Sequence, residues 1–472
     1  MDNLHDLIED IGAFCRRHVM AESTFGRMAV NDGKFVGRLR SGRSVTTKTI
    51  SKVRSFMEGA DPAMDTNSSA EAETAATAQP ETAPAPHAAA AKSDNDDKQG
   101  NFRFYDNRQK YLMFVNTCSE KWAIAERVGM ELEQIKPKLP ALRVFDAGIG
   151  DGTVLARVLR DMHRRHPTVP FVVVGKEISL EDVRLSLEKV PDRLFEHPAT
   201  VLVVTNMYYR EAPSLMPSDV STAAALNWHE VALEGSTANE FEEQIQALMP
   251  TLAEGWQVRT NEKTGNPQYI RPSVVVLYRE DQKFFVDPII PRPGRTEGQY
   301  DLVIASQPYR ANMSAQFKVE KVLAPLARAL APGGRMLGVH SHGQDPGLEI
   351  IQGIWPGREL NQTSRQLLMR TLKQEMGKAS RDLRFNTYSD KRALFRYDMH
   401  TLPTEIGSSA GIGTSTLFAA WNAAIYVYQI EDELISNAIG NGDYLDVTRD
   451  VLQKHNGLWF TNESYVVTRK AG

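Results

Sequence analysis

Asp146, Gly148, Gly150 and Gly152 set one acid and three glycines at alternate positions, after the apolar run Arg143-Val-Phe145 and before Thr153-Val-Leu-Ala-Arg-Val-Leu159. That order reads as a strand, a turn and a helix start. Glycines let backbone N–H groups approach a ligand unobstructed, and a helix N-terminus favours polar or anionic groups. The turn suits a small nucleoside- or phosphate-type ligand. It is not a dinucleotide fingerprint, because counting from Gly148 or Gly150 puts no glycine at the third place of G-x-G-x-x-G. His340 follows the apolar run Arg335 to Val339. Ligands of open α/β sheets bind at that carboxyl edge, where a neutral imidazole takes a proton from an attacking amine or hydroxyl. A loop histidine bonded to backbone is the alternative.

The spacing D-x-G-x-G-x-G resembles the first motif of class I S-adenosylmethionine-dependent methyltransferases. The resemblance implies that Asp146, Gly148, Gly150 and Gly152 hold the amino-acid half of S-adenosylmethionine. Further landmarks follow in order. The run Phe171-Val-Val-Val-Gly-Lys-Glu177 ends in an acid, and Glu177 is expected to accept the ribose hydroxyls. Asn206 would contact the adenine, with Met207 against the ring. Tyr300 to Tyr309 reads as the fourth strand, and Leu330-Ala-Pro-Gly-Gly-Arg335 as the turn before the fifth. Tyr105 and Arg108, in a segment resembling the helix that closes over the cofactor, are candidate lid contacts.

Ser306-Gln-Pro-Tyr309 stands where amino-methyltransferases of this type carry Asn/Asp/Ser-Pro-Pro-aromatic. Ser306 and Tyr309 are therefore candidate catalytic residues beside His340, with Gln307 departing from the pattern. Methyl transfer from a sulfonium needs mainly alignment, since its leaving group departs neutral.

The elements that must position these residues alternate between strand-like runs (143–145, 171–174, 201–204, 302–305, 335–339, 393–397 and 464–468) and helical patterns. This predicts an α/β fold with a seven-stranded doubly wound sheet over residues 101–472. About 95 residues separate Asn206 from Asp301, so an insertion at about 210–298 is expected. Within it 273–278 and 283–286 read as a β-hairpin, and Trp228 and Trp256 as parts of helices. The insertion and residues 347–409 are expected to cover the acceptor pocket.

Residues 59–100, rich in Ala, Pro, Thr, Ser and Asp, read as a disordered linker. Residues 1–58 read as a small all-α domain with a helix-turn-helix plan that resembles phage-repressor-like regulators. Ten Lys/Arg against Glu22 and Asp32 lie between Arg16 and Phe56. Lys34, Arg38 and Arg40 would face DNA phosphates. A helical bundle used for docking or homodimerisation is the alternative.

The chain has 472 residues, 42% hydrophobic and 24% charged, with a net charge of -4 and two cysteines. Two cysteines exclude a disulfide framework or a Cys-based zinc site, and no metal is expected. No signal peptide is read. The longest apolar stretch, 417–430, falls short of the ~20 residues that span a bilayer. A cytoplasmic protein without a membrane partner is expected. The leading function is an S-adenosylmethionine-dependent methyltransferase with a small-molecule acceptor. The alternatives are a transcriptional regulator that senses S-adenosylmethionine or a metabolite without turnover, and a nucleic-acid methyltransferase.

Overall fold

The computed structural model describes residues 4–17, 22–30, 32, 35–40, 47–60, 108–261, 267–296, 298–358, 363–402 and 411–471. The chain divides into two units, Met1–Ser93 and Asp94–Gly472. Nearly all of the expected linker, together with Lys34 and Tyr105, lies outside the described residues.

In the first unit, helices α1 (Leu4–Arg17), α2 (Glu22–Val30), α3 (Phe35–Arg40) and α4 (Thr47–Ala60) enclose Leu7, Ile11, Phe14, Phe25, Phe35, Leu39 and Val53. Phe14, Phe25 and Phe56 pack ring against ring at 5.6–6.0 Å. Between α2 and α3 the chain turns on two backbone bonds, Asp32 N to Gly26 O and Phe35 N to Asp32 O. Arg38 is paired with Asp32 and Arg40 with Glu22. Both described arginines of the expected basic face thus contact acids of their own unit.

Among its described residues the second unit has twelve strands: β1 (Leu142–Asp146), β2 (Phe171–Lys176), β3 (Thr200–Thr205), β4 (Asn227–Leu233), β5 (Val258–Thr260), β6 (Pro267–Tyr269), β7 (Ser273–Arg279), β8 (Tyr300–Ser306), β9 (Leu330–Ser341), β10 (Leu383–Asn386), β11 (Leu394–Asp398) and β12 (Trp459–Arg469). Ten of them form one sheet in the order β10-β12-β9-β8-β1-β2-β3-β7-β4, with β11 also paired to β12. β1, β2, β3, β8 and β9 run parallel, and β12 is antiparallel to β9. Strand order reverses between β1 and β8, the switch point at which doubly wound sheets bind ligands. Alternation of apolar residues puts Phe145, Val172, Val203 and Val303 into one core and Val144, Val173, Leu202 and Ile304 into the other.

The sheet has ten strands where seven were expected. The insertion supplies two of the extra strands, as β7 pairs antiparallel with β3 and β4 pairs with β7, extending that edge. At the other edge β10 and β11 pair with successive halves of β12. The expected hairpin is absent: Ser273–Arg279 is a strand, but Lys283–Val286 is a helical turn. Phe284 and Phe285 there are exposed, so the segment lacks the one-sided burial that would hold it in a sheet. Trp228 lies in β4, not in a helix. The Pro-Gly-Gly segment is absorbed into β9 as an irregularity opposite Tyr300 and Leu302. Among the described residues no helix is long and apolar enough to cross a membrane.

Three helices frame the glycine turn: α5 (Arg108–Thr117), α6 (Glu120–Leu132) and α7 (Thr153–Arg165). Val154, Leu155, Val158, Leu159 and Met162 bury one face of α7. Phe114 anchors α5 in a separate core with Trp421, Tyr397 and Phe460, against the helix Thr414–Val427.

Candidate active site

The glycine turn joins β1 to α7 at the switch point. Gly152 has φ +79° and caps α7, and a Cβ there would lie 2.6 Å from Ser186 Cα, so only glycine fits without movement. Gly148 N–H donates to Asp146 Oδ1 at 3.1 Å. Glu177, at the end of β2, accepts from Gly150 N at 3.0 Å, Ile178 N at 2.8 Å and Ser179 N at 3.0 Å. The sequence therefore brings Asp146, Gly148, Gly150, Gly152 and Glu177 together around one turn. The indole N–H of Trp256, from the insertion, donates to the Glu177 carbonyl at 2.8 Å.

Burial raises the Asp146 carboxyl to about 6, with Gly148 N–H and Lys121 opposing the shift. A folded-state value above the unfolded ~3.9 means that the native chain holds a proton the unfolded chain has lost between pH ~4 and ~6. Stability contributed by the protonated acid is present below pH ~4 and is lost as pH rises through about 6. The Asp146→Asn variant should therefore gain roughly 3 kcal/mol relative to the parent chain between pH 4 and 7. Urea unfolding at both pH values, without added ligand, measures this, and parallel pH profiles would contradict it.

Helix α5 lies over the turn. Tyr111 OH accepts from Asp151 N and donates to Asp151 Oδ1, both at 3.1 Å. Arg108 donates to Ser179 Oγ at 3.4 Å and Asp182 Oδ1 at 3.2 Å, and so bridges α5 to α8 (Leu180–Leu187). Tyr111 was not among the expected site residues. It lies three positions after Arg108, one helical turn along the same face, and that spacing was the available signal.

Asn206 is fully buried, and its side-chain bonds all run to backbone. Nδ2 donates to the carbonyls of Gly255 and Arg271 at 2.9 Å each, and Oδ1 accepts from Ser273 N at 2.8 Å. This placement differs from the adenine contact expected of it: the amide clamps the returning insertion to the end of β3. Met207 is likewise fully buried in the core. Asn206→Ala would strand buried backbone groups at roughly 1–3 kcal/mol apiece. Urea unfolding should show a loss of at least ~3 kcal/mol, and a loss under 1 kcal/mol would exclude the clamp.

Beyond Ser306, at the end of β8, Gln307, Tyr309, Asn312, Lys318, His340 and Tyr428 contribute to one pocket. Tyr309 OH is 2.8 Å from His340 Nδ1 and 3.0 Å from Tyr465 OH. His340 Nε2 is 2.6 Å from Glu463 Oε1. Arg365 N and Nη1 donate to Glu463 at 2.9 and 2.7 Å. Against the effect of burial, the bonds from His340 and Arg365 hold the Glu463 carboxyl down at about 2. An ionised Glu463 fixes the proton of His340 on Nε2. Nδ1 then accepts from Tyr309, and Tyr465 donates to the Tyr309 oxygen. Burial lowers the His340 pKa, with Glu463 opposing, so the ring is neutral at pH 7.

Tyr309 and His340 are thus brought together as expected candidates, while Tyr465, Glu463, Arg365 and Lys318 were not foreseen. His340 and Glu463 are direct cross-strand partners in the β9–β12 register. No described residue of the insertion lines this pocket; Thr363 of the segment 347–409 does, as do Val427 and Tyr428. The turn after Thr414–Val427 connects the two halves of the site. Tyr426 packs on Tyr111 and Phe114, Tyr428 lines the pocket, and Gln429 Oε1 accepts from Ala311 N at 3.0 Å.

The sequence matches no family model and no curated protein. Among solved structures it is similar to a loganic acid methyltransferase with SAH, at 9% identity, TM-score 0.32, covering 81% of this chain and 98% of that one. It is similar also to a geranyl diphosphate methyltransferase in complex with SAM, at 11% identity, TM-score 0.28, covering 74% and 85%. A third, MNMC2 from Aquifex aeolicus, is 10% identical with TM-score 0.20, covering 90% and 97%. Likeness this slight carries no activity or ligand across to this chain.

Proposed function

We propose that the second unit binds S-adenosylmethionine at the glycine turn and transfers its methyl group to a small-molecule acceptor in the pocket beside Tyr309. The observation that carries this reading is the convergence of a carboxylate, Glu177, and the glycine-rich turn Gly148–Gly152 at the switch point, on the same sheet as a pocket with its own proton-accepting chain. The residues fit the cofactor. Glu177 offers a carboxylate for two ribose hydroxyls, Asp146 an acid for an ammonium, and Gly150 and Gly152 raise no side chain against it. When bound, the cofactor supplies an electrophilic methyl group.

The chain's own residues do the rest. Tyr309 accepts the acceptor's proton on its oxygen as its phenolic proton passes to His340 Nδ1, and Glu463 balances the imidazolium. Helix α5 excludes water above the turn. Asn206 and Met207 act by holding the floor of the site.

The test is incubation of the full chain with methyl-labelled S-adenosylmethionine and fractionated cell extract. Label is expected in the small-molecule fraction. Label in nucleic acid alone would overturn the proposed acceptor class, and cofactor binding with no transfer would favour a sensor.

For the first unit we propose duplex DNA as the partner, supported by the α2-turn-α3 arrangement and the ten basic residues between Arg16 and Phe56. The full chain's affinity for duplex DNA should fall steeply with salt. A flat response would favour the docking role.

A further inference from the structure

The methyl-transfer reading leaves one charge of the pocket unused. Lys318 is only 2% exposed. Its Nζ donates to Ala311 O at 2.7 Å and Thr363 Oγ1 at 2.9 Å, and lies 5.1 Å from the Tyr309 ring centroid. Among the described residues no carboxylate forms an ion pair with it. Two described acids near the pocket are engaged elsewhere. Glu463 holds His340 and Arg365, while Asp345 accepts from Tyr428 OH at 2.6 Å and from the backbone of Leu348 and Thr461.

A buried ammonium without an anion is held against several kcal/mol of desolvation. Burial pulls the Lys318 amine down to about 8, and no charged group among the described residues offsets it. An anion docked beside such a group offsets that cost. The other polar groups of the pocket, the Gln307 and Asn312 amides and the Ser341 hydroxyl, are uncharged, and His340 is neutral. One positive charge therefore faces the pocket.

Resting on the methyl-transfer reading, we propose that the acceptor carries a carboxylate, which docks on Lys318 and sets the acceptor's nucleophile toward Tyr309. A single anionic charge matches the single ammonium.

The test uses the full chain with S-adenosylhomocysteine present and two probes of one shape, benzoate and benzamide, titrated by ligand-observed NMR. Benzoate should bind at least tenfold more tightly than benzamide, and in Lys318→Met that preference should fall below twofold. Lys318→Met removes a buried charge together with the donor to Ala311 and Thr363, so its folding is verified by urea unfolding before titration. Lys318→Gln, which keeps a donor for Ala311 and Thr363, provides a second variant with the same expected loss. Equal binding of the two probes, no saturable benzoate binding, or a preference that survives in both variants would overturn the proposal. S-adenosylmethionine binding is titrated separately. A chain that ignores the cofactor yet keeps the Lys318-dependent preference would sink the methyl-transfer reading and leave this one standing.

Discussion

Replacing Glu177 with alanine should weaken S-adenosylmethionine binding by a factor of ~10² to 10⁴, the largest effect expected of any single change in the cofactor site. The range follows from two hydroxyl bonds to a charged acceptor, each contributing roughly 1.5–3 kcal/mol. The carboxylate has about four lone-pair positions, and three already receive Gly150, Ile178 and Ser179 N–H. Seating two ribose hydroxyls therefore displaces a backbone bond. Gly150, reaching across from the turn, is the donor expected to yield, and its amide resonance should shift on cofactor addition. Glu177→Gln should fall between alanine and parent, because its carbonyl still accepts while its amide opposes the backbone donors. Calorimetric titration measures all three chains. A dissociation constant for Glu177→Ala within threefold of the parent would remove Glu177 from the site.

Tyr309→Phe should lower turnover by ~10² to 10⁴ while leaving the cofactor dissociation constant unchanged. The ring stays, so the shape of the pocket is preserved. What is lost is the oxygen between Tyr465 and His340 Nδ1. Losing those bonds should also lower stability by roughly 1–3 kcal/mol. Glu463→Ala differs, because it leaves the buried Arg365 with the exposed Asp390 as its remaining counter-charge among the described residues, and breaking a buried pair destabilises by ~3–5 kcal/mol. The pair of variants thus separates proton handling from structural support. The lowered His340 pKa fixes the sign of the pH dependence: the acid limb of turnover should lie below pH ~6.5, where the ring becomes charged and can no longer accept. Turnover unaffected by Tyr309→Phe would dismiss the relay.

The turn of the proposed cofactor site was legible because it is local. Asp146 to Gly152 is one strand end, one turn and one helix start, and Glu177 closes the next strand. The parallel strands were legible too, being short apolar runs buried on both faces. The bonds of Asn206 were not legible, because its partners Gly255, Arg271 and Ser273 are at least 49 residues away in sequence. β4 went unread because Asn227–Leu233 is a half-exposed edge strand with no clear apolar alternation. Glu463 and Tyr465 could not be paired with His340 and Tyr309 before the β9–β12 register was known. Lys318 reads as an ordinary surface lysine until the fold buries it.

The strand β12 has a consequence for how the protein comes into being on the ribosome. It pairs with β9, β10 and β11 at once, and it delivers Glu463 and Tyr465 to His340 and Tyr309. All the other strands precede it in synthesis order, so the glycine turn and Glu177 can assemble on a nascent chain while the relay has neither its carboxylate nor its second phenol. At ~5–20 residues per second, tens of seconds separate translation of β3 from that of β12. Throughout that interval the proposed proton relay stays incomplete, however much of the glycine turn has already formed.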